Sequence, residues 1–421
     1  MQNSGAKCFF LEESEGENAE KMELLVVMSG LSGGGAEKSL VSFLATLQKT
    51  HAKDVNVDLL VFRPEGLFLS QVPENVHWIF EPKECFCMSY SITSEMFWKN
   101  VTGRGLAGKI NHYAANALKK NESELDGIQR MWKHWIPYIP KLKKHYDVAI
   151  SYMHGATNYF VIDKCNADKK YLYVHHEYEE LMANQVFDRA YFSAADGIIT
   201  VSPRCVSSIL KVFPEFKEKV VSIDNIFSPS LICSMAEKEY PVEYKDIPKD
   251  MVKLVSIGRM NPVKRFDRAI EAAKILKDHG IEFRWFLVGE GEEKEKLQAL
   301  VEKLDLLKEV VFVGVKSNPY PYIKNADIFV QTSDNEGKSL VLDEAKILHR
   351  PVVVTNYMTV ADAVSNEKNG LIADFDPQSV AQCIMRYVQE PELYNRIQRE
   401  LASHEYGNES EIEKYMMLWK K

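Results

Sequence analysis

A strand, a glycine-rich turn and a helix recur along this chain, stop at a polar linker, and then begin again. Residues 24–28 read as a short buried strand and 30–35 as the turn. Residues 36–47 read as a helix with Leu40, Phe43, Leu44 and Leu47 on one stripe. Further strands are expected at 57–62, 148–152, 171–174, 197–201 and 220–223. After the linker near 238–250, strands are expected at 252–257, 282–288, 310–313, 328–331 and 352–355. Helices are expected at 265–279, ended by Gly280 as a C-cap, and at 292–304, 339–348 and 377–388. Strands alternating with helices imply a parallel sheet covered on both faces. The fold class is therefore α/β, as two doubly wound, Rossmann-like domains.

The chain has 421 residues, and at roughly 150 residues per domain this length suits two domains. The expected layout is an N-terminal domain over 22–235, a linker over 236–250 and a C-terminal domain over 251–390. Residues 391–421 should be helical and cross back to the first domain. Residues 1–21 read as an acidic, disordered tail, and Met22, directly before the first strand, reads as the natural start. The net charge of −8 argues against nucleic acid as a partner. The longest apolar runs are too short for a spanning helix, and the acidic N-terminus lacks a signal-peptide pattern. Seven cysteines at scattered spacing, with Cys85 and Cys87 as one C-x-C, give no zinc set and suit a reduced, cytoplasmic setting.

Residues 99–145 run against the overall charge. Ten basic residues face three acidic ones, a net of +7, with Trp98, Trp132, Trp135 and Tyr138 interleaved. Basic residues among interfacial aromatics suit an anionic membrane surface. The plainer alternative is a solvated helical face with core tryptophans.

Chemistry concentrates in the second half. Arg259 follows a strand at its carboxyl end, where open α/β sheets bind ligands, and Lys264 lies five residues on. A guanidinium fork and an ammonium point charge together suit a diphosphate. Glu336 and Glu344 stand eight positions apart. Gly337 lets backbone approach a ligand, and Lys338, Ser339 and Leu340 open a helix whose free N–H groups can hold a phosphate or sugar oxygen. Glu344 lies two turns along, on the order of 10 Å from the helix start, about the span from a sugar to the ribose of one nucleotide. Taken singly, these would be surface cations, an N-cap acid and a solvated glutamate. Their order and spacing favour a nucleotide-sugar pocket.

Four segments then fall in sequence: Ser256-Ile257-Gly258-Arg259 with Lys264; Leu287-Val288-Gly289-Glu290-Gly291; Asn325 to Val330 with Ser333; and Glu336 to Glu344 followed by Arg350-Pro351-Val352. Over 252–390 this resembles the family-4 retaining glycosyltransferases of the GT-B fold, in which two Rossmann-like domains face across a cleft. The N-terminal likeness is looser and rests on Ser32-Gly33-Gly34-Gly35-Ala36-Glu37. The resemblance implies that Arg259 and Lys264 neutralise the donor diphosphate, that Glu336 faces the donor sugar and that Glu344 bonds the ribose. Gly34 and Gly35 would let the first domain approach the phosphates or the acceptor. Gly258, Gly289, Gly337, Lys338, Ser339 and Leu340 would line the donor site. Lys338-Ser339 departs from the family's usual Phe-Gly, which leaves the sugar open. A histidine near the reacting sugar is common in the family. His154 is the favoured position here, with His175 and His176 as alternatives and Asn225 bordering the acceptor side.

These residues imply a transferase that moves a hexose or N-acetylhexosamine from a nucleoside diphosphate, UDP foremost, to a glycan acceptor. That acceptor is expected to be lipid-linked, in surface polysaccharide synthesis, with the enzyme cytoplasmic and peripheral on the membrane's inner face. With no Asp-x-Asp, no metal and no cofactor beyond the sugar nucleotide are expected. The glycine turn lacks G-x-G-x-x-G spacing for NAD, and Thr332 stands where a P-loop needs glycine. A silent GT-B binding subunit and a sugar-nucleotide epimerase are the remaining alternatives.

Overall fold

Strand β1 (Met22–Gly30) is apolar on both faces, with Leu24 to Met28 fully buried, and only a central strand covered on both sides accommodates that pattern. The computed structural model describes residues 21–32, 35–117, 126–181, 183–336 and 339–420. The expected tail over 1–20 lies outside them.

Beside β1 lie β2 (Val55–Arg63), β3 (His77–Ile79), β4 (His145–Ser151), β5 (Asn166–Val174), β6 (Gly197–Thr200) and β7 (Val220–Ser222). Their order is β3-β2-β1-β4-β5-β6-β7, and every recorded pair is parallel. The second sheet holds β8 (Val252–Ile257), β9 (Phe283–Val288), β10 (Val310–Gly314), β11 (Ile328–Gln331), β12 (Val352–Thr355) and β13 (Leu371–Ala373). Its order is β10-β9-β8-β11-β12-β13, again parallel throughout. Alternate residues go to opposite faces. Leu25 and Val27 join one core of the first sheet, and Leu24, Val26 and Met28 the other. Leu254 and Val255 divide the second sheet in the same way.

The edge strands β3 and β13 escape the sequence reading, whereas the edge strand β7, equally short, does not. The basic aromatic stretch divides between core and surface. Trp132 and Trp135 are fully buried in the first core, and so is most of Lys109. Lys109 Nζ donates to the carbonyls of Met88 at 3.3 Å and Tyr90 at 2.8 Å, and lies 5.8 to 6.0 Å from the rings of Phe97, Tyr113 and Trp135. Trp98 alone of those three tryptophans stays exposed, at 59%. The helices Gly103–Ala117 and Gly127–Trp135 therefore bury part of what the charge count assigns to the surface.

The chain crosses between the sheets twice. The outgoing helix Pro229–Glu237 sends Ile232, Met235 and Ala236 into the second sheet's core, so this segment packs with the second domain although the sequence expectation ends the first at 235. On the return, the helix Ile412–Lys420 packs Tyr415, Met416 and Trp419 into the first sheet's other core, with Leu24, Val26 and Met28, beside Phe43. The Tyr415 and Tyr173 hydroxyls share a 2.7 Å hydrogen bond. The two crossings are joined. Asn408 Oδ1 accepts from the Phe227 N–H at 2.7 Å and its Nδ2 donates to the Asn225 carbonyl at 3.0 Å. Glu409 accepts from Ser228, Ser230 and Lys49.

Trp419 is 3% exposed, so Trp419→Ala is expected to destabilise by about 3–5 kcal/mol through lost burial and a cavity. Calorimetric unfolding should show a lowered Tm for the first domain; an unchanged Tm would mean that this helix is not docked.

Candidate active site

Each sheet reverses its strand order once, between β1 and β4 and between β8 and β11. Ligands of open α/β sheets bind in the crevice that such a reversal leaves at the carboxyl ends of the strands. Strand β1 leads to the helix Gly35–His51, and β4 to His154 and Gly155. Strand β8 leads to Arg259 and Lys264, and β11 to Ser333 and Glu336.

The loop that carries Arg259 is held by backbone. Gly258 N–H donates to the Val288 carbonyl and Met260 N–H to the Glu290 carbonyl. Glycine is required opposite it. Gly289 has φ 143°, and a Cβ there would lie 2.0 Å from the Gly258 carbonyl; at Gly291 it would lie 2.2 Å from the Met260 carbonyl. Arg259 is exposed at the mouth. Lys264 closes a turn whose start is capped by Asn261, and its Nζ donates to Glu336 Oε1 at 2.6 Å. Lys264 is turned onto the glutamate.

Glu336 Oε1 accepts two further bonds, from Ser333 Oγ at 2.6 Å and Gln331 Nε2 at 3.1 Å. The loop before it is pinned by Arg265 and Arg268, which both pair with Asp334, while Arg268 also donates to the Thr332 carbonyl. Three donors on one oxygen fix the carboxylate's direction.

Glu344 lies inside the helix Leu340–Ile347 and is 1% exposed. Its Oε1 forms an ion pair with Lys38, from the first domain's helix Gly35–His51. Its Oε2 has no hydrogen-bond partner among the described residues. Burial raises the Glu344 pKa, and Lys38 offsets this only in part. Lys38 Nζ also lies 5.0 Å from the Tyr320 ring centre. Ser39 Oγ donates to Asn225 Oδ1 at 2.9 Å, and a Cβ on Gly35 would lie 3.3 Å from Leu340. A void of about 10 Å³ between Lys38, Asn225, Tyr320, Leu340 and Glu344 leaves room for about one water. The two domains meet here, and Asn225 belongs to this contact.

His154 is 12% exposed and its Nε2 lies 3.3 Å from Asp188 Oδ2. Asp188 is fully buried and also accepts from Tyr178, Tyr159 and Gln129. Burial acts to raise its pKa, but His154 and the two phenols outweigh it and hold it below the usual carboxylate range. Gly155, at φ 97°, starts the next helix against Ile128. No hydrogen bond among the described residues joins His154 to the second domain. His175 stacks on Tyr173 at 4.3 Å and bonds the Tyr152 carbonyl through Nε2, and burial lowers its pKa to about 4, so it is neutral at pH 7. His176 is exposed. Gly34, Gly337 and Lys338 lie outside the described residues.

Residues 242–403 match the family described as glycosyl transferases group 1. Over these residues the second domain is similar to the group 1 glycosyl transferases. A *Staphylococcus aureus* poly(ribitol-phosphate) alpha-N-acetylglucosaminyltransferase is 30% identical over 207 residues, 47% of this chain and 40% of that protein. A *Methanocaldococcus jannaschii* uncharacterized glycosyltransferase is 28% identical over 185 residues, 43% of this chain and 46% of its own. A *Campylobacter jejuni* N-acetylgalactosaminyltransferase, whose name specifies a diphospho-undecaprenol substrate, is 24% identical over 238 residues, 56% of this chain and 62% of its own. The chain thus spans less than half the length of the first two of these relatives. Among solved structures, a *Staphylococcus aureus* TarM variant in complex with fondaparinux, alpha-GlcNAc-glycerol and UDP superposes with a TM-score of 0.60 at 17% identity, covering 95% of this chain and 100% of TarM. *Anabaena* HepE in complex with UDP and glucose also gives 0.60, at 15% identity, covering 95% of this chain and 100% of HepE. These likenesses establish the GT-B fold around the group 1 domain.

Sequence reasoning misses Lys38, Gln331 and Asp188. Lys38 directly follows Glu37 at a helix start and carries no motif that foretells an ion pair with the other domain. Gln331 closes a buried strand, and only its polarity there marks it.

Lys38→Met should leave Glu344 buried without its cation and destabilise by about 3 kcal/mol at high pH. A carboxyl whose folded pKa is raised favours the fold on the acid side and loses that contribution as pH rises. The variant's deficit should therefore shrink from pH 8 to pH 5 as Glu344 takes a proton. Urea midpoints for the variant and the parent chain at both pH values read this, and a deficit that grows toward pH 5 would refute it.

Proposed function

We propose that this chain is a retaining, metal-independent glycosyltransferase. It moves a hexose or N-acetylhexosamine from UDP to a lipid-linked glycan in surface polysaccharide synthesis, at the inner face of the cytoplasmic membrane. The observation that carries this reading is the Lys264–Glu336 pair, set at the second sheet's reversal point beside the start of the helix Leu340–Ile347. The group 1 match over the same residues supports it. So do neighbours solved with UDP and a relative named for an undecaprenyl-linked substrate.

In this mechanism charge grows on the departing diphosphate. Lys264, Arg259 and the helix start stabilise it, a service that preorganised groups provide at no cost of reorganisation. Lys264 bridges Glu336 and the phosphate, and Glu336 orients a hydroxyl of the donor sugar. Glu344 takes the ribose hydroxyls, with Oε2 as the open acceptor. The leaving phosphate removes the acceptor proton on the same face of the sugar, so configuration is retained. Glu336 is assigned this orienting role and not that of a covalent nucleophile, with Oε1 held by three donors. His154, steadied by Asp188, faces the acceptor sugar from the first domain.

Arg259→Ala removes a charge-assisted contact worth roughly 1.5–3 kcal/mol and is expected to lower kcat/KM for the UDP-sugar about ten- to hundredfold. EDTA should leave the parent rate unchanged. Calorimetry against a panel of nucleoside diphosphates and their sugars should give metal-independent binding of UDP. Binding to none would favour the silent subunit, and an isomerised sugar nucleotide as product would favour the epimerase.

Membrane docking rests on the helix Gly103–Ala117, which exposes Leu106 at 41%, Ile110 at 61% and Tyr113 at 46% along one face beside Arg104. No helix among the described residues is long and apolar enough to cross a membrane. Sedimentation with anionic vesicles should carry the chain down, and Ile110→Asp should release it. A chain that stays in the supernatant with every vesicle tested removes the membrane from this reading.

A further inference from the structure

Gln331 is the last residue of β11 and is 6% exposed. Its side chain makes three bonds at once. Nε2 donates to Glu336 Oε1 at 3.1 Å and to Ser339 Oγ at 2.8 Å, and Oε1 accepts from the Tyr357 hydroxyl at 3.3 Å. The Glu336 bond settles which end of the amide is nitrogen, because a carboxylate oxygen can only accept.

Ser339 occupies the N-cap of the helix Leu340–Ile347 with extended backbone, φ −80° and ψ 98°. A serine there ordinarily turns its hydroxyl onto a first-turn N–H. Ser94, Ser202 and Ser228 do so in this chain, accepting from Met96, Cys205 and Leu231. Ser339 makes no such bond, and its oxygen accepts from Gln331 instead. One buried amide therefore does two things. It adds a donor to the Glu336 carboxylate, and it keeps the serine off the helix end.

We propose that Gln331 is a positioning residue of the donor site: by holding Glu336 and diverting the Ser339 hydroxyl, it leaves the first-turn N–H groups of the helix Leu340–Ile347 free for the leaving diphosphate. The proposal rests on the donor-site reading above. A serine that capped this helix would compete with the diphosphate for the same donors. Loss of the amide should act through two separable routes, nucleotide affinity through Ser339 and turnover through Glu336.

The test compares the full-length parent chain with Gln331→Ala, Gln331→Glu, Ser339→Ala and the Gln331→Ala/Ser339→Ala pair. UDP binding is measured by calorimetry, and kcat and KM are measured with the UDP-sugar. Gln331→Glu keeps the shape but has no N–H to donate, so it serves if the alanine variant folds poorly. Both Gln331 variants should bind UDP about tenfold more weakly, the scale of one charge-assisted bond. In the double variant, with no hydroxyl left to cap the helix, UDP affinity should return to that of Ser339→Ala alone, while kcat stays low. Unchanged UDP affinity in both Gln331 variants overturns the proposal, and so does a double variant that binds as weakly as Gln331→Ala. Glu344→Gln and Arg259→Ala in the parent chain are the controls. If neither weakens UDP binding, the donor-site reading itself has failed, whatever Gln331 does.

Discussion

A carboxylate taken out of water must find a cation or several donors, and the cleft of this protein is arranged around that requirement. Removing one partner of a buried ion pair costs several kcal/mol, because the other charge is then stranded. Glu336 meets the requirement within its own domain, through Lys264, Ser333 and Gln331. Glu344 meets it across the cleft, through Lys38. The first arrangement makes a rigid local site. The second makes the burial of one side chain depend on how two domains sit against each other.

The same requirement recurs on the opposite side. Asp188 is fully buried and accepts from four side chains, one of them His154. The histidine lies in a loop, and its partner Asp188 comes from the separate helix Gln185–Ala194. Fixed polar groups of this kind need no rearrangement when charge develops beside them.

Much of this architecture is legible in the sequence, for reasons that differ by element. Strands such as β8 and β12 are central, apolar and bounded by turn residues, so their limits can be read directly. At three residues the edge strands leave no period, so nothing in the pattern separates β7, which is caught, from β3 and β13, which are missed. The glycines at 289 and 291 are visible as a motif, but their cause is not: it is the carbonyl path of a neighbouring loop. Lys264 and Glu336 can be placed in one site from their positions after adjacent strands. That they bond each other while Arg259 stays in solvent depends on side-chain geometry that no spacing encodes. The buried fate of Trp132, Trp135 and Lys109 is hidden for a related reason. Charge and aromatic content describe a segment, whereas burial depends on which face of each helix meets the core, and Gly105 and Gly108 let the helices come close there.

The joined crossings carry a mechanical consequence. Two separate tethers would let the halves of the molecule twist, slide and spread independently. Asn408, gripping Asn225 and Phe227, brings both tethers to one place, and Glu409 fastens the neighbouring turn. Fastened at one place, the two tethers act as a single connection between the halves. Asn225 lies at that connection and also accepts from Ser39, one position from the lysine that reaches Glu344, so a single residue is shared by the tie between the tethers and the grip between the halves.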